Sequence, residues 1–92
     1  MKETRAEVRI TGRVQGVGFR YFLHRTAAGL GLRGYVRNTV DGAVEAVFEG
    51  KEPDVKKIVS ACSEGPPGAS VEKADVEYKN PGGGFRGFEI SQ

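Results

Sequence analysis

A chain of 92 residues holds one domain with one core, and 38% hydrophobic against 28% charged residues mark an ordinary globular protein. Fourteen Lys and Arg against 12 Asp and Glu leave a formal charge of +2, too balanced for a protein that coats nucleic acid, and no basic block stands out. Cys62 stands alone, no apolar run is long enough to span a membrane, and the charged opening Met1-Lys2-Glu3-Thr4-Arg5 is no signal peptide, so a cytoplasmic chain without disulfides is expected.

Residues 6–14 alternate: Ala6, Val8, Ile10, Gly12 and Val14 share one face, and Glu7, Arg9, Thr11 and Arg13 the other. Period two predicts a half-buried strand, ending at Gln15-Gly16-Val17-Gly18. Phe19, Phe22, Leu23, Ala27 and Leu30 then fall at helical spacing, predicting a helix over about 20–30 that Gly29 and Gly31 close. A second strand is expected over about 32–38, with Leu32, Gly34, Val36 and Asn38 on one face. Asp41-Gly42 signals a hairpin into a third strand, where Val44, Ala46 and Phe48 alternate with Glu45, Val47 and Glu49 as far as Gly50.

Pro53 suits a first helical position, and Val55, Ile58, Val59 and Cys62 form the apolar stripe of a second helix that Gly65-Pro66-Pro67-Gly68 ends. Residues 69–78 return to strand character through Val71, Ala74, Val76 and Tyr78, with one slip of phase that indicates a bulge. After Asn80-Pro81-Gly82-Gly83-Gly84, Phe88 and Ile90 alternate in a short last strand. The order β-α-β-β-α-β, with that terminal strand added, predicts an α+β fold. This is the ferredoxin-like split β-α-β sandwich, an antiparallel sheet of four to five strands with two helices on one face. No repeat, linker or low-complexity segment divides the chain, and one domain over residues 1–92 is expected.

The segment Gly12-Arg13-Val14-Gln15-Gly16-Val17-Gly18-Phe19-Arg20 carries the chemistry. A strand delivers a glycine-bearing loop to a helix N-terminus, whose unpaired amides and dipole attract anions. Successive amides in a tight loop can converge into an anion nest. Arg20 adds a planar fork of donors that fits two phosphate oxygens. The loop lacks the Lys-Ser/Thr of a Walker loop and the third glycine of a dinucleotide fingerprint. Taken alone, it is explained equally by a tight turn followed by a solvated first-turn arginine.

The second strand adds Gly34-Tyr35-Val36-Arg37-Asn38-Thr39-Val40-Asp41-Gly42, with Asn38 at the strand end. Together these segments resemble the acylphosphatase family, whose signature pairs a G-x-V-Q-G-V-x-F-R loop with G-[W/Y/F]-V-x-N-x-x-D-G. The resemblance continues through Glu49-Gly50 and Phe88-Glu89-Ile90, and so spans nearly the whole chain. Tyr35 stands where tryptophan is frequent. The resemblance implies that Arg20 binds the substrate phosphate together with the loop amides of Gln15, Gly16, Val17, Gly18, Phe19 and Arg20. Asn38 would orient the attacking water, and Thr39 would support Asn38. The implied partner is a small-molecule acyl phosphate, with no cofactor, no metal, no nucleic acid and no membrane, and the expected state is a monomer.

The chemistry is consistent with that implication. With Asp41-Gly42 read as turn chemistry, the candidate site contains no obvious acid, base, metal cluster or activated nucleophile, yet an acyl phosphate leaves as a carboxylate whose conjugate acid has a pKa near ~4, so no proton need be donated. Fixing phosphate, placing water in line and stabilising the equatorial oxygens are the tasks that remain. His24 is expected to face solvent and Cys62 to behave as a small core hydrophobe. Glu52 and Asp54 favour a helix start, and Glu45 and Glu49 alternate with apolar neighbours, so none of the four needs a function. Arg13 and Arg37 are expected on a solvated strand face. Among rival readings, an RNA-recognition sheet would present stacking aromatics where this chain has Arg9, Thr11 and Arg13. Two further rivals are an acylphosphatase-like accessory module and an anion-binding relative without turnover. Nothing follows residue 92 and both Arg20 and Asn38 are present, so a free-standing enzyme is expected.

Overall fold

A computed structural model of the chain describes residues 2–91. These residues form β1 (Glu3–Arg13), α1 (Phe19–Gly29), β2 (Arg33–Asn38), β3 (Val44–Lys51), α2 (Glu52–Glu64), β4 (Ser70–Lys79) and β5 (Phe88–Ile90). The strands join in one sheet in the order β4-β1-β3-β2-β5. Alternation decides its faces. Ala6, Val8 and Ile10 pair across β1 and β3 with Phe48, Ala46 and Val44, and all six are buried. They pack beneath Phe19, Leu23 and Ala27 of α1 and Val55, Ile58 and Cys62 of α2, forming one apolar cluster. The sandwich is the expected one, and the phase slip in β4 is a true irregularity. Thr11 pairs with Lys73 while Gly12 pairs with Val71, so Glu72 has no partner opposite it.

The sheet differs from the expectation in one respect. β5 runs parallel to β2, with Gly34 opposite Phe88 and Val36 opposite Ile90, so the sheet is mixed rather than wholly antiparallel. The cause is topological. β4 ends at Lys79 beside Arg5, and β5 begins at Phe88 beside Gly34, at the same end of the sheet. Residues 80–87 therefore cross that end from one edge to the other, and the last strand must set out in the direction of β2.

That crossing changes the face without helices. Glu49 is fully buried, although the sequence pattern gives it no special place. Its carboxylate accepts from Arg5 Nη1 at 2.9 Å and from the Gly82 and Gly83 amides at 3.0 and 3.3 Å. The Arg5 guanidinium lies over the Phe85 ring at 5.6 Å, and Phe85 in turn meets Tyr35 with ring centroids 6.1 Å apart. Among the described residues no helix is long and apolar enough to cross a membrane.

Candidate active site

Val14, directly after β1, is buried, and the chain then turns through Gln15–Gly18 into α1. Gly16 and Gly18 adopt φ of 74° and 78°, a left-handed conformation that side-chain-bearing residues avoid. Open space surrounds both positions, so the backbone angle and not crowding is what asks for glycine. Phe19 is buried and Val17 packs against the core, fixing the loop from beneath while Gly16 and Gly18 stay exposed. The expected phosphate-loop residues therefore offer backbone, with the apolar side chains turned inward.

The start of α1 is electrostatically open. Gly18 occupies the N-cap position and provides no side-chain cap, the first turn holds no acidic residue, and the first helical bond runs from Phe22 N–H to Gly18 C=O at 3.0 Å. The amides of the first turn thus lack helical partners and the positive end of the dipole is uncompensated. The first turn of α2, by contrast, carries Glu52 and Asp54. Arg20 stands half-buried at this open end. Ion pairs among the described residues engage Arg5, Arg9, Arg33, Arg37 and three lysines, and leave Arg20 without a carboxylate partner.

Asn38 is the last residue of β2, half-buried, and a tight turn follows it. Thr39 N–H donates to Ala43 C=O at 2.8 Å, and Gly42 N–H to Thr39 C=O at 3.3 Å. The Thr39 hydroxyl accepts from Ala43 N–H at 3.0 Å and donates to the Asp41 carboxylate, which Arg9 also contacts at 2.5 Å. The Thr39 hydroxyl and the Arg9 guanidinium hold the Asp41 carboxyl below the usual aspartate value. Thr39 therefore builds the turn behind Asn38; among the described residues its hydroxyl makes no bond to the Asn38 side chain.

One side chain joins the two halves. Gln15 Nε2 donates to Thr39 C=O at 2.8 Å and to Ala43 C=O at 2.9 Å, stapling the loop to the turn. Sequence reasoning places Gln15 in the loop for its amide and misses this cross-link. The available signal was a carboxamide among residues that otherwise offer only backbone. The other candidates stand apart. His24 is half-buried, 6.2 Å from the Phe88 ring, rather than facing solvent outright. Cys62 is buried in the core, where desolvation pushes its thiol up to about 12. Arg37 pairs with Glu45 at 2.7 Å. A groove of about 380 Å³ lies on the helix-free face between Arg5, Arg9, Tyr35 and Glu45. Its arginines Arg5 and Arg9 are already matched by Glu7, Glu49, Asp41 and Glu45. Among the described residues no three His, Cys, Asp or Glu side chains gather to hold a metal ion.

The family model described as Acylphosphatase matches residues 6–90. The chain belongs to the acylphosphatase family. An acylphosphatase from a Nostoc species is 56% identical over 88 residues, covering 96% of this chain and 86% of that relative. The crystal structure of acylphosphatase from Bacillus subtilis superposes with a TM-score of 0.93 at 36% identity, covering 97% of this chain and 99% of that one. HypF of Thermococcus kodakarensis is also similar, with a TM-score of 0.83 and 34% identity over 96% of this chain, but only 12% of that larger protein is matched. The chain is thus similar both to acylphosphatases that it matches over most of their length and to a small part of a longer protein.

Proposed function

We propose that this acylphosphatase family member hydrolyses the carboxyl–phosphate bond of small acyl phosphates by direct attack of water at phosphorus. The observation that carries the reading is the uncapped start of α1, where Arg20 has no carboxylate partner among the described residues, beside a loop stapled to the turn after Asn38. Arg20 and the amides of residues 15–20 bind the phosphoryl oxygens and stabilise their charge as the bond to the leaving carboxylate lengthens. Asn38 offers an acceptor and two donors, enough to hold a water in line with that bond. Its amide is too weak a base to take the water's proton, and the substrate phosphate accepts it. The carboxylate departs as the anion, so neither a general acid nor a metal ion is needed. Residues 1–92 act as one unit, a monomer in the cytoplasm, and gel filtration beside the assay checks the monomer.

The test is hydrolysis of benzoyl phosphate in excess EDTA by wild type and the Arg20→Ala, Asn38→Ala and His24→Ala proteins. Wild type and His24→Ala turn over. Arg20→Ala and Asn38→Ala each lose at least about 100-fold in kcat/KM while remaining folded by circular dichroism. A folded wild type that binds inorganic phosphate without turning over benzoyl phosphate would instead establish an anion-binding module without turnover.

A further inference from the structure

A phosphate-binding loop needs its backbone amides, not a long polar side chain, yet Gln15 carries one and commits it elsewhere. Its Nε2 donates to two carbonyls, Thr39 C=O at 2.8 Å and Ala43 C=O at 2.9 Å. These bracket the turn between β2 and β3. Thr39 directly follows Asn38, and Ala43 directly precedes Val44, the first residue of β3. Each carbonyl also accepts a bond from within the turn, Ala43 C=O from Thr39 N–H and Thr39 C=O from Gly42 N–H. The Gln15 carboxamide thus closes the turn from outside and ties it to the loop that leads to Arg20. A primary amide has two N–H donors on that nitrogen, and both are spent here. The contacts are partly shielded from water, which strengthens them relative to exposed ones.

We propose that Gln15 is a positioning residue, whose side-chain amide holds the turn at residues 39–43, and with it Asn38, in register with the phosphate loop. The inference rests on the reading of Arg20 and Asn38 given above and assigns Gln15 a role distinct from both. It has a chemical corollary. Glutamate has nearly the same shape, but its carboxylate would set negative oxygens against two carbonyl oxygens and supply no donor. A protonated glutamate can donate one bond and partly replace the amide.

The experiment compares wild type, Gln15→Ala and Gln15→Glu in kcat for benzoyl phosphate, inhibition by inorganic phosphate, and amide hydrogen exchange. Gln15→Ala is expected to lose roughly 10- to 100-fold in kcat, the scale of a small misplacement of a reacting group. Its inhibition by phosphate stays within about threefold of wild type, because Arg20 and the loop amides remain. Gln15→Glu shows a similar deficit at about pH 7.5 and regains activity relative to wild type at about pH 5, where its carboxyl, raised by the facing carbonyls, takes up a proton. In both variants exchange quickens at the Thr39 and Gly42 amides while the ladder between β1 and β3 stays protected. A kcat within about twofold of wild type in Gln15→Ala overturns the proposal, as does a Gln15→Glu deficit that is flat across pH. Should wild type turn nothing over, the activity reading fails on its own. The exchange comparison then still decides, and unchanged protection of Thr39 and Gly42 sinks the role given to Gln15.

Discussion

Arg20 and Cys62 are the two side chains best suited by chemistry to act on a substrate, and their surroundings separate them. Arg20 stands half-buried at an uncompensated helix start without a carboxylate partner among the described residues, so its donors are available to an anion. Cys62 lies on the buried stripe of α2 among Val55 and Ile58, where the thiolate has neither water nor a cation to stabilise it and the thiol is pushed up to about 12. A nucleophilic or redox cysteine needs the opposite setting, partly exposed and electropositive. The native protein is therefore expected to resist iodoacetamide at neutral pH and to react at its single cysteine only after unfolding in guanidinium. Mass spectrometry of both samples checks this, and rapid labelling of the native chain would contradict the burial of α2 against the sheet.

The segment after β4 has the clearest consequence for stability. Residues 80–87 are held across the sheet end through Glu49, a carboxylate with no exposure on a face that helices leave bare. Burial pushes the Glu49 carboxyl up, but the Gly82 amide, Arg5 and the Gly83 amide together outweigh it and bring it below its usual 4.5. Because the folded value is lowered, the stability this carboxylate contributes is fully present above that usual value and is lost as pH falls through the folded one. Glu49→Gln keeps an acceptor but loses the charge. It is expected to cost about 1–3 kcal/mol at neutral pH, with the deficit shrinking below about pH 4 as the wild-type carboxyl protonates. Urea unfolding of both proteins at several pH values measures the gap, and a gap that stays constant into acid would deny the charge its role. This element also marks where sequence reading stopped. Burial leaves a period in the sequence, so the face of β1, the stripes of both helices and the bulge in β4 were all legible, as was the motif carrying Arg20 and Asn38. Strand direction leaves no period, so β5 could not be seen to run parallel to β2. Nor could alternation reveal that a glycine-rich segment would cover Glu49, or that Gln15 would find its partners in backbone carbonyls, which every residue has.

Across the whole molecule, the formal charge of +2 conceals a sorting of charges. Four arginines are matched, Arg5 by Glu7 and Glu49, Arg9 by Asp41 and Glu45, Arg33 by Glu3, and Arg37 by Glu45, whereas Arg25 and Arg86 have no carboxylate partner among the described residues. Around the loop, Arg13 at the end of β1 and Arg20 in α1 have no such partners among the described residues, and the start of α1 adds its own positive field. An anionic substrate approaching the loop therefore meets unpaired positive charge there. Screening acts on that approach, since the Debye length falls from about 30 Å at 0.01 M salt to about 3 Å at 1 M. It acts far less on the proposed bound complex, where phosphate oxygens would touch Arg20 and the loop amides directly. Raising sodium chloride from about 0.02 M to about 0.5 M should then lower kcat/KM several-fold through KM while leaving kcat nearly unchanged. The folded state itself should respond little, because exposed ion pairs such as that between Lys56 and Glu52 contribute only about 0–1 kcal/mol each. Initial rates across a salt series, read beside urea midpoints in the same buffers, separate these effects. A kcat that falls in step with kcat/KM would mean that salt disturbs the arrangement of Arg20 and Asn38 themselves, and the charge sorting would then be incidental to catalysis.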